Sequence, residues 1–138
     1  MDKIVLSGFA DEISSSLDRQ IQVLKKLGIS HMEIRGVEKK GIDTYTTEEV
    51  KEIKGKLDDQ GIAISSLASP IGKINIKDNF TPHLEHFKHV AELAHVLNTR
   101  YIRMFSFFMP EGEEPDGYKE TVFEQLDQLI RVGKEQDV

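Results

Sequence analysis

Cysteine and tryptophan are missing from this 138-residue chain, proline occurs only four times, and no apolar run extends beyond a few residues. Without cysteine there is no disulfide and no thiolate metal site. Without a run of roughly 20 apolar residues there is no transmembrane helix. The segment from Met1 to Phe9 also lacks the basic start and long apolar stretch of a signal peptide. Positive charge is in deficit: 18 Lys+Arg stand against 24 Asp+Glu, a net charge of −6, which disfavours a general nucleic-acid surface and points to a small ligand. These absences predict a cytoplasmic protein with neither membrane nor general nucleic-acid partners. Disorder is excluded as well, because 38% of the residues are hydrophobic, enough to build a core.

What is present is one pattern repeated four times: a short β-branched or aromatic run, a polar loop, and an amphipathic stretch closed by a turn. The runs Lys3 to Gly8, His31 to Arg35, Ile62 to Ala68 and Arg100 to Ser106 are too short for buried helices and have the composition of strands. Between them the spacing predicts helices. The first carries Ile13, Leu17, Ile21, Leu24 and Leu27 on one face, with serines 14–16 as N-cap and Gly28 as its stop. Thr46 and Glu49 form a capping-box pattern before Val50, Ile53 and Leu57. Thr81-Pro82 opens a third helix with Leu84, Phe87, Val90, Ala91, Ala94 and Leu97 facing inward, because proline lacks only an N–H that the first turn leaves unused. A fourth begins near Asp116 and runs through Val122, Leu126, Leu129 and Ile130.

Alternating strands and crossover helices define an α/β fold with parallel pairing. Two strands carry charge where an open doubly wound sheet would be apolar: Glu33 and Arg35 share one face of the second, and Arg103 lies between Ile102 and Met104 in the fourth. The upper lumen of a barrel offers the polar surroundings those charges need. A (β/α)₈ TIM barrel takes about 250 residues. Residues 1–138 are therefore expected to be a single domain, the N-terminal half of such a barrel, with strand order 1-2-3-4 and every helix on the convex side. The junctions Leu27-Gly28-Ile29 and Gln60-Gly61-Ile62 each lead from a helix into a strand, whereas the similar Gln136-Asp137-Val138 leads into none, so a truncation is expected there.

Four segments carry a resemblance: Ser7-Gly8-Phe9-Ala10-Asp11-Glu12-Ile13, His31-Met32-Glu33-Ile34-Arg35-Gly36, Ser69-Pro70-Ile71-Gly72-Lys73 and Tyr101-Ile102-Arg103-Met104-Phe105-Ser106-Phe107. In this order and spacing the chain resembles the N-terminal half of bacterial sugar phosphate isomerase/epimerase proteins. These belong to the xylose-isomerase-like TIM-barrel superfamily, with ketose 3-epimerases, inosose dehydratases and endonuclease IV. The resemblance implies a divalent metal (Mn, Mg, Co or Zn) that polarises a sugar carbonyl or hydroxyl while a carboxylate moves a proton beside it. It also implies that the metal ligands and acid/base carboxylates come from later strands. No catalytic or metal-binding residue, and no cofactor, is therefore expected in this chain, and the chain alone is expected to be inactive.

The substrate-binding candidates are Glu33, Arg35, Lys73 and Arg103. A guanidinium such as that of Arg103 can hold a sugar hydroxyl, carboxylate or phosphate through its fork of donors, and an internal ion pair with Glu33 is the competing role. Lys73 follows a glycine in a loop at the catalytic end, where ligand contact competes with a plain surface role. Asp11 and Glu12 are read as favouring the N-terminus of the coming helix. His83, His86 and His89 advance by three residues, so the outer two diverge by about 120° around the helix, and a solvated face is expected. Phe105, Phe107 and Phe108 read as core and rim packing. Two further functions stand beside the sugar enzyme. One is a half-barrel scaffold completed by self-association into a homodimer; the other is a receiver or flavodoxin-like domain, against which the serine-rich third strand and missing fifth strand count.

Overall fold

The computed structural model describes residues 4–138. Four strands, β1 (Ser7–Gly8), β2 (His31–Ile34), β3 (Ala63–Ala68) and β4 (Ile102–Arg103), form one parallel sheet in the order β1-β2-β3-β4. That is the order of a barrel wall. The 2-1-3 order of a flavodoxin-like sheet is absent, which removes the receiver reading. The first and fourth strands are shorter than their apolar runs suggested, and Lys3 lies outside the described residues.

One face of this sheet, carrying Met32, Ile34, Ile64 and Leu67, is sealed into the core with helices α1 (Leu17–Lys26), α2 (Thr47–Asp59), α3 (Phe80–Val96) and α4 (Lys119–Glu135). The other face, with Ser7, His31, Glu33 and Arg103, stays open. The register shifts between Met32 and Glu33, so that Ile64 and Ser66 of β3 are their partners and Ser65 is extra. The Ser65 hydroxyl uses this bulge to donate to Met32 O at 3.2 Å and to meet the Ser7 hydroxyl at 2.6 Å.

Helix ends follow local chemistry, with three departures from the sequence reading. The Thr46–Glu49 capping box forms in full. Gly28 and Gly61, each at φ +70°, turn α1 and α2 toward the next strands. The serines before α1 do not cap its backbone; the amide of Leu17 donates instead to Glu38 Oε1 at 3.0 Å. Glu38 comes from a hairpin, Gly36–Val37 against Lys40–Gly41, whose two turn residues Glu38 and Lys39 have positive φ. For α3 the cap is Asn79, whose side chain accepts from the Thr81 amide at 3.2 Å. Two residues read as part of the first helix's apolar face lie outside it and exposed, Ile13 before α1 and Leu27 as its C-cap, and Ile130 is exposed on α4. Among the described residues no helix is long and apolar enough to cross a membrane.

Candidate functional site

Strand polarity sends β1 to β4 toward one rim, and the loops that leave them there hold most of the charged side chains singled out above. Glu33 projects from β2 into the open face because it alternates with buried Met32 and Ile34. Arg103 projects from the end of β4 beside it, its Nε 3.8 Å from Glu33 Oε1. At that distance the charges attract without a hydrogen bond, and the buried Nε has no hydrogen-bond partner. The guanidinium is otherwise held by rings: Phe105 at 4.7 Å and Phe9 at 5.7 Å from its carbon.

The same two rings extend the row in both directions. Phe9 also faces Arg35 at 4.8 Å, and Phe105 faces the ammonium of Lys73 at 4.5 Å. Arg35, Phe9, Arg103, Phe105 and Lys73 thus alternate cation and ring across the rim. Phe9 had no sequence signal beyond its place after β1, and Phe105 does more than pack.

Arg35 is clamped. Its Nε donates to Asp11 Oδ2 at 2.7 Å and its terminal nitrogen to Glu12 Oε1 at 2.8 Å. These hydrogen bonds raise its affinity for its proton above the ordinary arginine value. Asp11 and Glu12 therefore serve Arg35 more directly than any helix terminus, which corrects the sequence reading. Asp11 Oδ1 remains buried without a partner.

The loops after β3 and β4 are zipped together by backbone. Phe105 N–H donates to Ile71 O at 2.7 Å, Phe107 N–H to Gly72 O at 3.0 Å, and Phe108 N–H to Ile74 O at 2.8 Å. Ser69, buried at the end of β3, donates its hydroxyl to Arg103 O at 2.7 Å. Gly72 has φ +86°, and a Cβ there would lie 1.8 Å from Phe105 O, so this glycine admits the neighbouring loop, not a ligand. Lys73 is carried to the rim by that turn.

The three histidines of α3 are not a solvated row. His83 Nε2 accepts the Gly72 amide at 2.7 Å, His86 Nε2 lies 3.1 Å from Asp43 Oδ2, and His89 Nε2 contacts Tyr45 O at 2.8 Å. His83 thus holds the loop after β3, while His86 and His89 both hold the turn before α2, one at a carboxylate and one at a backbone carbonyl; their neighbours Glu85 and Lys88 pair with each other on the exposed side. Burial, with His86 nearby, lowers the pKa of His83 and keeps it a neutral acceptor.

A divalent cation does not fit this donor set. Among the described residues no three His, Asp or Glu side chains converge. Glu33, the carboxylate on the open face, faces Arg103, and Asp11 is spent on Arg35.

No curated protein matches the chain. Solved structures do. A probable 3-DHS dehydratase from Bacillus anthracis is 14% identical with TM-score 0.76, the match covering 98% of this chain and 50% of that one. A sugar phosphate isomerase/epimerase from Parabacteroides distasonis is 18% identical with TM-score 0.69, covering 100% and 50%. A xylose isomerase-like TIM barrel protein from Mycobacterium smegmatis, in complex with magnesium, is 14% identical with TM-score 0.68, covering 97% and 52%. The chain spans about half the length of these structures, and at such identities the likeness is one of fold: four of the βα units of a TIM barrel. Residues 21–138 match the family described as xylose isomerase-like TIM barrel, and the chain belongs to that family.

Proposed function

We propose that residues 1–138 are the substrate-gripping N-terminal half of a sugar or sugar phosphate isomerase or epimerase. One observation carries the reading: Arg103 faces the lumen at the end of β4 with a buried Nε that no acceptor satisfies. With Nε held away from solvent, the part of the guanidinium open to a ligand oxygen is its terminal N–H groups, on a side chain 30% exposed. A sugar hydroxyl or a phosphate oxygen beside Glu33 can accept from those terminal groups, and Lys73 stands one ring away as a second cation. The aromatic faces of Phe9 and Phe105 keep both cations ordered while leaving their N–H groups available.

The proton transfer itself belongs elsewhere. Moving a proton next to a carbonyl requires an electrophile and a base within about 3 Å of the reacting atoms. Among the described residues these four units offer one lumen carboxylate, Glu33, and it faces Arg103. The divalent metal implied by the family, and the carboxylates around it, are therefore assigned to strands outside these four units. Calorimetric titration of the chain with ketoses and ketose phosphates tests the reading. Saturable binding that Arg103→Met weakens is expected. Failure to bind any sugar or sugar phosphate rejects it, and metal-dependent turnover by the 138-residue chain would reassign the chemistry to these strands.

A further inference from the structure

Carboxylates outnumber cations in this chain, 24 Asp+Glu against 18 Lys+Arg, yet they are shared unevenly among the cations of the loops that leave the strands. Arg35 is paired with Asp11 and Glu12, Lys40 with Glu49, and Lys77 with Glu113. Lys73 and Arg103 are the exceptions. Among the described residues the Lys73 ammonium has no ion-pair partner, and Arg103 has only Glu33, at 3.8 Å. Two cations against one carboxylate leave this end of the rim with positive charge in excess.

Both cations lie against the same ring: Lys73 Nζ is 4.5 Å and the guanidinium carbon of Arg103 4.7 Å from the centre of Phe105. Like charges gathered so closely repel each other. Backbone holds them there. The Lys73 amide donates to Pro70 O at 2.9 Å, which closes the turn that carries the lysine. That turn is tied to the loop after β4 by the bonds from Phe105 to Ile71 O and from Phe107 to Gly72 O, and to α3 by His83 at the Gly72 amide. Lys73 and Phe105 therefore cannot separate without breaking those bonds, so an arriving anion meets cations already in place and pays little to order them. An oxyanion accepts from both and cancels their repulsion, whereas a neutral hydroxyl offers lone pairs without the charge. Glu33, on the other side of Arg103, repels an anion and accepts from a hydroxyl, which draws the oxyanion toward Lys73.

We infer that the sugar gripped at this rim carries an oxyanion, a phosphate ester or a carboxylate, held by Lys73 and Arg103 while Glu33 accepts from a hydroxyl. Lys73 is then the residue that sets specificity for charge: Arg103 with Glu33 is balanced and can serve a neutral sugar, and the lysine supplies the excess that a neutral sugar does not use. The inference rests on the sugar reading of the site and adds the charge of its substrate.

Calorimetric titration of the chain tests it, using D-fructose, its terminal phosphate ester and D-fructuronate, the ketose with a terminal carboxylate, with D-ribulose and its phosphate as a second pair. At least one oxyanion form should bind about tenfold or more tightly than its neutral parent. Preference for phosphate alone names an ester and preference for the uronate alone a sugar acid; either supports the inference. Lys73 is exposed, so its replacement should not disturb folding. Lys73→Met should reduce the preference about tenfold and Lys73→Arg should restore it. Lys77→Met, in the same loop but paired with Glu113, should leave the preference as in wild type. Equal affinity for neutral and anionic forms overturns the inference and leaves the sugar reading standing. A preference that survives Lys73→Met, or that falls as far in Lys77→Met, overturns it too, because net charge and not this site would then be responsible. Binding of none of these sugars overturns both.

Discussion

Arg103 Nε and Glu33 Oε1 stand 3.8 Å apart, near enough to attract and too far to hydrogen-bond. The pair joins β2 to β4 across the lumen side of β3, and it leaves the guanidinium oriented but unsatisfied. A purely structural ion pair would be expected to close to about 2.8 Å, as Arg35 does on Glu12.

Replacing Arg103 by methionine keeps apolar bulk beside Phe9 and Phe105 while deleting the charge and the donors. Hydrogen bonds to charged groups contribute about 1.5–3 kcal/mol, so sugar phosphate affinity should fall between about tenfold and a hundredfold. Thermal stability should hardly change. In an eight-unit barrel containing these strands, KM should rise more than kcat falls, because a remote hydroxyl or phosphate is held equally in ground and transition states. Unchanged affinity with a lowered melting temperature would instead assign Arg103 to structure.

The barrel-wall order and the polar lumen face were legible in the residues, since charges at Glu33 and Arg103 interrupt otherwise apolar strands. The Thr46–Glu49 capping box and the turns at Gly28 and Gly61 were legible because their side chains, or lack of one, act within a few residues. What stayed hidden acts at long range or through backbone. The turn of the hairpin uses Glu38 and Lys39 at positive φ, with neither glycine nor asparagine to announce it. The loops after β3 and β4 are joined by main-chain hydrogen bonds that leave no side-chain pattern. His89 reaches Tyr45, 44 residues earlier, so a helical-wheel reading had no means of finding its partner.

Asp11→Asn separates charge from shape in the clamp on Arg35. Asp11 is largely covered and Arg35 half exposed, so solvent screens the pair and the loss should be about 1 kcal/mol. Denaturant unfolding of Asp11→Asn, Arg35→Met and the double variant measures it. A double variant no worse than either single is expected; fully additive losses would mean the two side chains act separately.

Gly72→Ala should destabilise far more than Gly28→Ala, although both glycines have positive φ. At Gly28 the added methyl meets open space, so only the left-handed backbone is penalised, by about 1 kcal/mol. At Gly72 it meets Phe105 O at 1.8 Å, and relief requires parting the two loops and losing the bonds from Phe105 and Phe107. A loss of about 3 kcal/mol or more is expected. Equal midpoints for the two variants in urea would mean the loop zipper contributes little.

His83 makes the same zipper sensitive to acid. Its Nε2 accepts the Gly72 amide, an arrangement open only to the neutral ring, and burial with His86 nearby lowers its pKa below the ordinary 6.5. In the unfolded chain the ring binds its proton near pH 6.5. As pH falls through that value the unfolded state takes up the proton first, so stability is full above it and declines until the folded ring also titrates. The ring of His86, 6.4 Å away and itself against Asp43, is the other titratable group facing this site, so the wild-type slope alone does not isolate His83. His83→Gln does, because an amide oxygen can still accept from Gly72 but cannot be protonated in this range. Urea midpoints should match at neutral pH, and the wild type should lose stability more steeply than His83→Gln as pH drops from about 6.5 to about 5. Parallel slopes for the two proteins would show that the Gly72 bond tolerates a charged ring and that acid acts elsewhere.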